Sequence, residues 1–126
     1  MTFESVNYIY GRAKNPWNHN RAAGGSSGGE GAILAARCSV VGIGSDIAGS
    51  IRIPAAFNGV YGMKPSSGRV SVRGEVEPLG EPRGQINVQV CKGPLARSVD
   101  DLIVMMKVLC SNYDNIDPRA RDYYWR

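Results

Sequence analysis

Histidine is nearly missing from this sequence: His19 is the only one in 126 residues. With no second histidine or cysteine at ligand spacing there is nothing to build a metal centre from, and His19 reads as an exposed loop residue. No cofactor is implied. Cysteine is scarce too. Cys38, Cys91 and Cys110 are odd in number, widely spaced and set among apolar residues. They read as buried free thiols in a reducing, intracellular compartment, cytoplasmic or membrane-associated. The fifteen basic residues exceed the eleven acidic ones but stand singly, with no run or stripe that tracks phosphates. Nucleic acid is excluded as a partner on that ground. The longest mostly apolar stretch, residues 99–110, is broken by Asp100, Asp101 and Lys107, so no segment is long enough to span a bilayer. Peripheral membrane contact stays open. The opening Met1-Thr2-Phe3-Glu4-Ser5 lacks a basic region followed by an apolar core and does not read as a secretory leader.

Glycine is what the chain has in quantity. Sixteen glycines, concentrated in the first half, and seven prolines imply many tight turns and close backbone approaches. The 43% hydrophobic content suits one small domain or one piece of a larger one. Residues 15–21 are polar, and Pro16 forbids a helix through them, so a loop is expected there. Residues 30–39, with Ala32, Ile33, Leu34, Ala35 and Ala36, predict a short helix that is apolar nearly all round and hence buried. Residues 40–44 have the β-branched density of a short interior strand leading into Ser45 and Asp46. A turn of helix follows over residues 51–59, with Pro54 near its start and Gly59 past its end. Residues 60–65 and 68–72 read as strand and turn, and residues 74–84 as loop. Ser98 followed at the third position by Asp101, ahead of Leu102, Ile103, Met105, Met106, Val108 and Leu109, predicts a helix with a capping-box-like start. Residues 111–126 fit neither period, and no internal repeat is present.

Gly24-Gly25-Ser26-Ser27-Gly28-Gly29 taken alone has several readings. A linker would end at a boundary, yet an apolar helix starts at once; a phosphate loop would continue with Lys, where Glu30 stands. Gly42-Ile43-Gly44 opens a dinucleotide fingerprint, but Ile47 occupies the place of the third glycine. Gly24 to Gly28 also fits the Gly-x-Ser-x-Gly nucleophile elbow, making Ser26 the nucleophile of a Ser-His-Asp α/β-hydrolase piece. His19 precedes that serine, so the histidine would have to come from elsewhere.

Three segments taken together point further. They are residues 24–29, then Gly44-Ser45-Asp46-Ile47-Ala48-Gly49-Ser50-Ile51-Arg52-Ile53-Pro54, then Gly59-Val60-Tyr61-Gly62-Met63-Lys64-Pro65. This order resembles the amidase signature family. Asn15-Pro16-Trp17, Gly29-Glu30-Gly31-Ala32 and Gly93-Pro94-Leu95-Ala96-Arg97 bring it especially close to fatty acid amide hydrolases. The resemblance covers roughly residues 7–110. It implies an α/β fold with a central mixed β-sheet flanked by helices on both faces, of which residues 1–126 form a partial domain. It further implies an amide or ester hydrolase taking small-molecule substrates, fatty acyl amides among them, through a Ser-Ser-Lys triad and an acyl-serine intermediate.

Carried over residue by residue, the family pattern makes Ser50 the nucleophile, Ser26 the proton relay and Ser27 its supporting neighbour. Backbone N–H groups of Ile47, Ala48, Gly49 and Ser50 would form the oxyanion hole, with Ala48 where the family favours glycine. A cis peptide bond is implied between Gly25 and Ser26. Asp46 and Arg52 would hold the nucleophile loop in shape, against the plainer reading of a surface ion pair. The catalytic lysine belongs well upstream of Ser26, and neither Lys14 nor Lys64 matches its position. The chain alone is therefore expected to be inactive, which leaves a truncated, non-catalytic product as an alternative to an active parent enzyme.

Overall fold

Short strands and three helices account for most of residues 2–76, 88–111 and 117, the parts of the chain that the computed structural model describes. Two small hairpins come first. β1 (Val6–Asn7) pairs with β2 (Gly11–Arg12), and β3 (Lys14–Asn15) with β4 (Asn18–Ala22), both antiparallel. The second hairpin corrects the loop expected over residues 15–21, and His19 lies exposed on its strand β4. Its polar residues give no apolar alternation because neither face of β4 enters a core. What holds the hairpin in place is hydrogen bonding. Asn15, buried, donates from Nδ2 to the Phe57 carbonyl at 2.6 Å, and the Trp17 indole donates to the Asn58 carbonyl at 2.8 Å.

α1 (Gly28–Ala35) starts two residues earlier and stops sooner than its composition suggests. Arg37 adopts a left-handed conformation, φ +61°, and the Arg37 and Cys38 amides donate back to the Leu34 and Ile33 carbonyls, each at 3.0 Å. This is a Schellman ending made without the usual glycine. It turns Cys38 out to solvent, whereas Cys91 is buried and Cys110 half-buried, so buried thiols are an incorrect expectation for one of the three. Ile33 is also partly exposed, so α1 is not apolar-buried all round.

β5 (Val41–Asp46) runs longer than expected, through Ser45 and Asp46, and leads by a tight turn into α2 (Arg52–Asn58). Gly59 closes α2 in the left-handed conformation, as its position past the helix suggests. β6 (Tyr61–Gly62) and β7 (Cys91–Ala96) complete a sheet of order β5-β7-β6, and α3 (Val99–Leu109) follows. Residues 68–72 form turns rather than a strand, and residues 77–84 of the expected loop and most of 111–126 lie outside the described part. Every strand pair among the described residues is antiparallel.

β7 was not legible as a strand, because Pro94 sits in the middle of what proves to be the central one. The Pro94 carbonyl accepts from Met63 N at 3.0 Å, so this residue turns its peptide groups to the β6 side. β6 has ended at Gly62, and the missing proline N–H leaves the six-residue ladder with β5 whole. Leu95 points to the face covered by α1 and α2. There it joins Leu34, Ile51 and Ala55 in the core, with Val60 packed alongside. Pro94 and Ala96 alternate to the opposite face and are also fully buried, under α3. Helices thus cover both faces. In α3 Ser98 accepts from Asp101 N at 3.1 Å, the N-cap its spacing predicts, and its hydroxyl donates to the Asp101 carboxylate at 2.7 Å. Leu102 and Met106 carry its burial, while Val104 and Val108 remain largely exposed.

No helix among the described residues is long and apolar enough to cross a membrane. Leu95→Ala is expected to cost about 2–5 kcal/mol, since its side chain is wholly enclosed. A urea denaturation midpoint equal to that of the unsubstituted protein would contradict this placement of the core.

Candidate active site

Asp46 ends β5 and is completely buried, an expensive place for a carboxylate unless it is fully hydrogen-bonded. It is. Oδ1 accepts from Gly49 N at 2.8 Å and from Arg52 Nη2 at 2.9 Å. Oδ2 accepts from Ile51 N at 3.0 Å, Arg52 Nε at 3.1 Å and Arg52 N at 3.3 Å. Burial pushes the Asp46 carboxyl up, but the Arg52 fork and the three backbone amides outweigh it and hold the group well below the usual carboxylate range. The same bond raises the Arg52 guanidinium further above its ordinary value. A plain surface ion pair is therefore the wrong description: one partner is inside, and three of the five donors are backbone.

The chain between Asp46 and Arg52 has little freedom left. Gly49 and Ile51 are both tied to the carboxylate, so Ser50 is carried on a backbone anchored on either side. Gly49 takes φ +119°, a conformation side chains resist, and this is why glycine stands there. Ser50 is half-buried. Its carbonyl accepts from Ser27 N at 3.0 Å, which joins the two serine-bearing segments. The Ser27 hydroxyl in turn accepts from Ser45 N at 3.3 Å, so the loop before α1 is fastened to β5 as well. Ser26 lies exposed beside this junction, and its peptide bond with Gly25 is cis, as the resemblance implies.

One of the four amides expected to form an oxyanion hole has another partner. The Gly49 N–H donates to the Asp46 carboxylate. Ile47, Ala48 and Ser50 keep the amides left for that role, and Ile47 and Ala48 are exposed. Lys14 is exposed in β3, and the Lys64 ammonium donates to the Pro65 carbonyl at 3.1 Å, so neither serves the serines. A groove of about 630 Å³ beside Arg52, Lys64, Val99, Leu102 and Ile103 is lined by none of the three serines. A Ser-His-Asp elbow at Ser26 finds no support in the geometry. The strand-to-helix turn off the central sheet carries Ser50, whereas β4, which precedes Ser26, pairs only with β3. One contact to the serine loop carried no signal in the sequence. Ser5 lies against residues 24–28, and nothing in Phe3-Glu4-Ser5-Val6 marks it out.

The sequence matches the Amidase family over residues 1–124, a wider span than the motifs alone cover. The chain belongs to that family. It is 52% identical over 109 residues to fatty-acid amide hydrolase 2 of Homo sapiens, covering 86% of this chain and 20% of that protein. To an acetamidase of Emericella nidulans it is 49% identical over 127 residues, covering all of this chain and 23% of that one. A solved structure of a fatty acid amide hydrolase superposes with a TM-score of 0.91 at 42% identity, over 100% of this chain and 22% of the other. The chain thus spans about a fifth of the length of these amidase relatives, and the turn from Asp46 to Arg52 lies within the shared part.

Asp46→Asn removes the charge that gathers five donors and is expected to destabilise by about 1–3 kcal/mol at neutral pH. The sign with pH follows from the lowered carboxyl. Asp46 contributes fully above its ordinary value of 3.8, and the contribution fades as the pH falls below it toward the folded-state value. Urea titrations of both proteins across that range should converge in acid; a constant gap would contradict the role given to the ionised carboxylate.

Proposed function

We propose that this chain supplies the acyl-accepting side of an amide hydrolase, with Ser50 as nucleophile. The observation that carries this reading is the position of Ser50 in a strand–turn–helix fixed by Asp46, bonded through its carbonyl to the loop that bears Ser26 and Ser27. A serine hydroxyl is a poor nucleophile at neutral pH and needs a base. Ser26 takes the Ser50 proton as a neutral lysine takes that of Ser26. Ser50 Oγ bonds to the amide carbonyl carbon, and negative charge gathers on the carbonyl oxygen opposite the amides of Ile47, Ala48 and Ser50. Each such donor is worth about 2.7–4 kcal/mol in related chemistry. Collapse breaks the C–N bond, the relay returns a proton to the departing amine, and water then releases the acid from acyl-Ser50 by the same steps.

Lys14 and Lys64 do not serve this relay, Lys92 is paired with Glu75, and Lys107 is exposed in the last turn of α3, so the acylation step awaits a lysine from outside residues 1–126. Isolated residues 1–126 are therefore the non-catalytic form of the second reading, favoured by where their four lysines lie. The substrate is a carboxylic amide or ester. Relatives named for fatty-acid amides and for acetamide bracket long and short acyl groups, and the fatty acyl amide is preferred on the similarity to fatty-acid amide hydrolases. Three free thiols suit a reducing compartment inside the cell.

A fluorophosphonate probe should label the full-length gene product at Ser50, and Ser50→Ala should abolish the label. The 126-residue chain should label poorly beside it. Undiminished labelling of Ser50→Ala would sink the assignment.

A further inference from the structure

Among the described residues no group hydrogen-bonds the Ser26 hydroxyl, and the residue is exposed. A relay serine must nonetheless point in one direction. Its orientation then has to come from the backbone, and the backbone of residues 24–28 is gripped from outside the loop by one side chain, that of Ser5. The Ser5 hydroxyl donates its proton to the Ser26 carbonyl at 2.8 Å, with the Gly24 carbonyl also in reach at 3.2 Å. It accepts from Gly28 N at 2.9 Å. A single oxygen therefore bridges the loop from one side of Ser26 to the other.

The fit of this segment is close enough to dictate residue types. A Cβ on Gly25 would stand 2.5 Å from the Glu4 carbonyl carbon and oxygen, and one on Gly28 would stand 2.5 Å from Ser5 Oγ. Both glycines are thus the imprint of the strand of chain carrying Ser5. That chain is itself anchored, since Ala13 N donates to the Ser5 carbonyl at 2.8 Å and Arg12 pairs with Glu4 at 3.3 Å. Gly28 begins α1, so the clamp also ties the loop to the first amide of a helix.

We propose that Ser5 is a positioning residue for the proton relay, acting through the backbone of Ser26; this rests on the role given to Ser26 and Ser50 above. A hydroxyl is the smallest group that both donates and accepts here, and alanine does neither. Losing the clamp leaves Ser26 present but held only on its C-terminal side, through the bonds of Ser27 to Ser50 and Ser45, which should lower the chemical step and spare substrate binding.

The test uses the full-length gene product and an acyl anilide substrate. Ser5→Ala should lower kcat about tenfold with KM unchanged, and Ser5→Thr, which keeps the hydroxyl, should restore most of it. In a Ser26→Ala background Ser5→Ala should have no further effect on kcat, because its only route to the reaction is gone. Equal tenfold losses in both backgrounds, or an unchanged kcat in Ser5→Ala, would overturn the proposal. Should Ser5→Ala fail to fold, Ser5→Cys replaces it, with the same expected non-additivity. Retained labelling of Ser50→Ala would instead strike the reading of the site itself, so the two failures are told apart.

Discussion

The Asp46 carboxylate is the constraint from which the rest of the site follows. A buried charge is tolerated only when its neighbours deliver enough donors, and here they come from the turn that the charge organises. Electrostatics and backbone shape are therefore one problem with one solution. The carboxylate draws in the amides of Gly49, Ile51 and Arg52, the arginine fork closes over the outside, and Ser50 has no option but to stand at the bend. From there a single backbone bond to Ser27 sets the spacing between two serine segments far apart in sequence.

Elements whose cause is local were readable in the residues. Ser98 and Asp101 announce α3 because an N-cap is a matter of spacing alone, and Gly59 ends α2 because left-handed backbone favours glycine. Elements whose cause is distant were not. The hairpin of residues 14–22 is polar on both faces and owes its shape to bonds with α2, and Pro94 looks like a strand breaker until β6 is seen to end beside it. Arg37 ends α1 as glycine usually does, and no residue type betrays that.

The site shows the same division. Ser26, Ser27, Ser50, Asp46 and Arg52 stand in motifs whose order is visible in one dimension, and the structure brings their segments together. The occupation of the Gly49 amide by Asp46 needed three dimensions, since spacing gives the position of a donor but not its direction. Ser5 needed them even more. Its neighbours in sequence are unremarkable, and its partners lie some twenty residues away.

α2 is only seven residues long, too short to persist on its own account, and both of its ends are fastened by other parts of the chain. Asp46 satisfies amides at the start; Asn15 and Trp17 satisfy carbonyls at the finish. The helix behaves as a strut clamped at both ends. Its outward positions, among them Ala56 and the half-exposed Phe57, are released from the demands of helix propensity and can drift in sequence. Variation between related enzymes should accordingly gather on that outer face, where it costs the turn that carries Ser50 nothing.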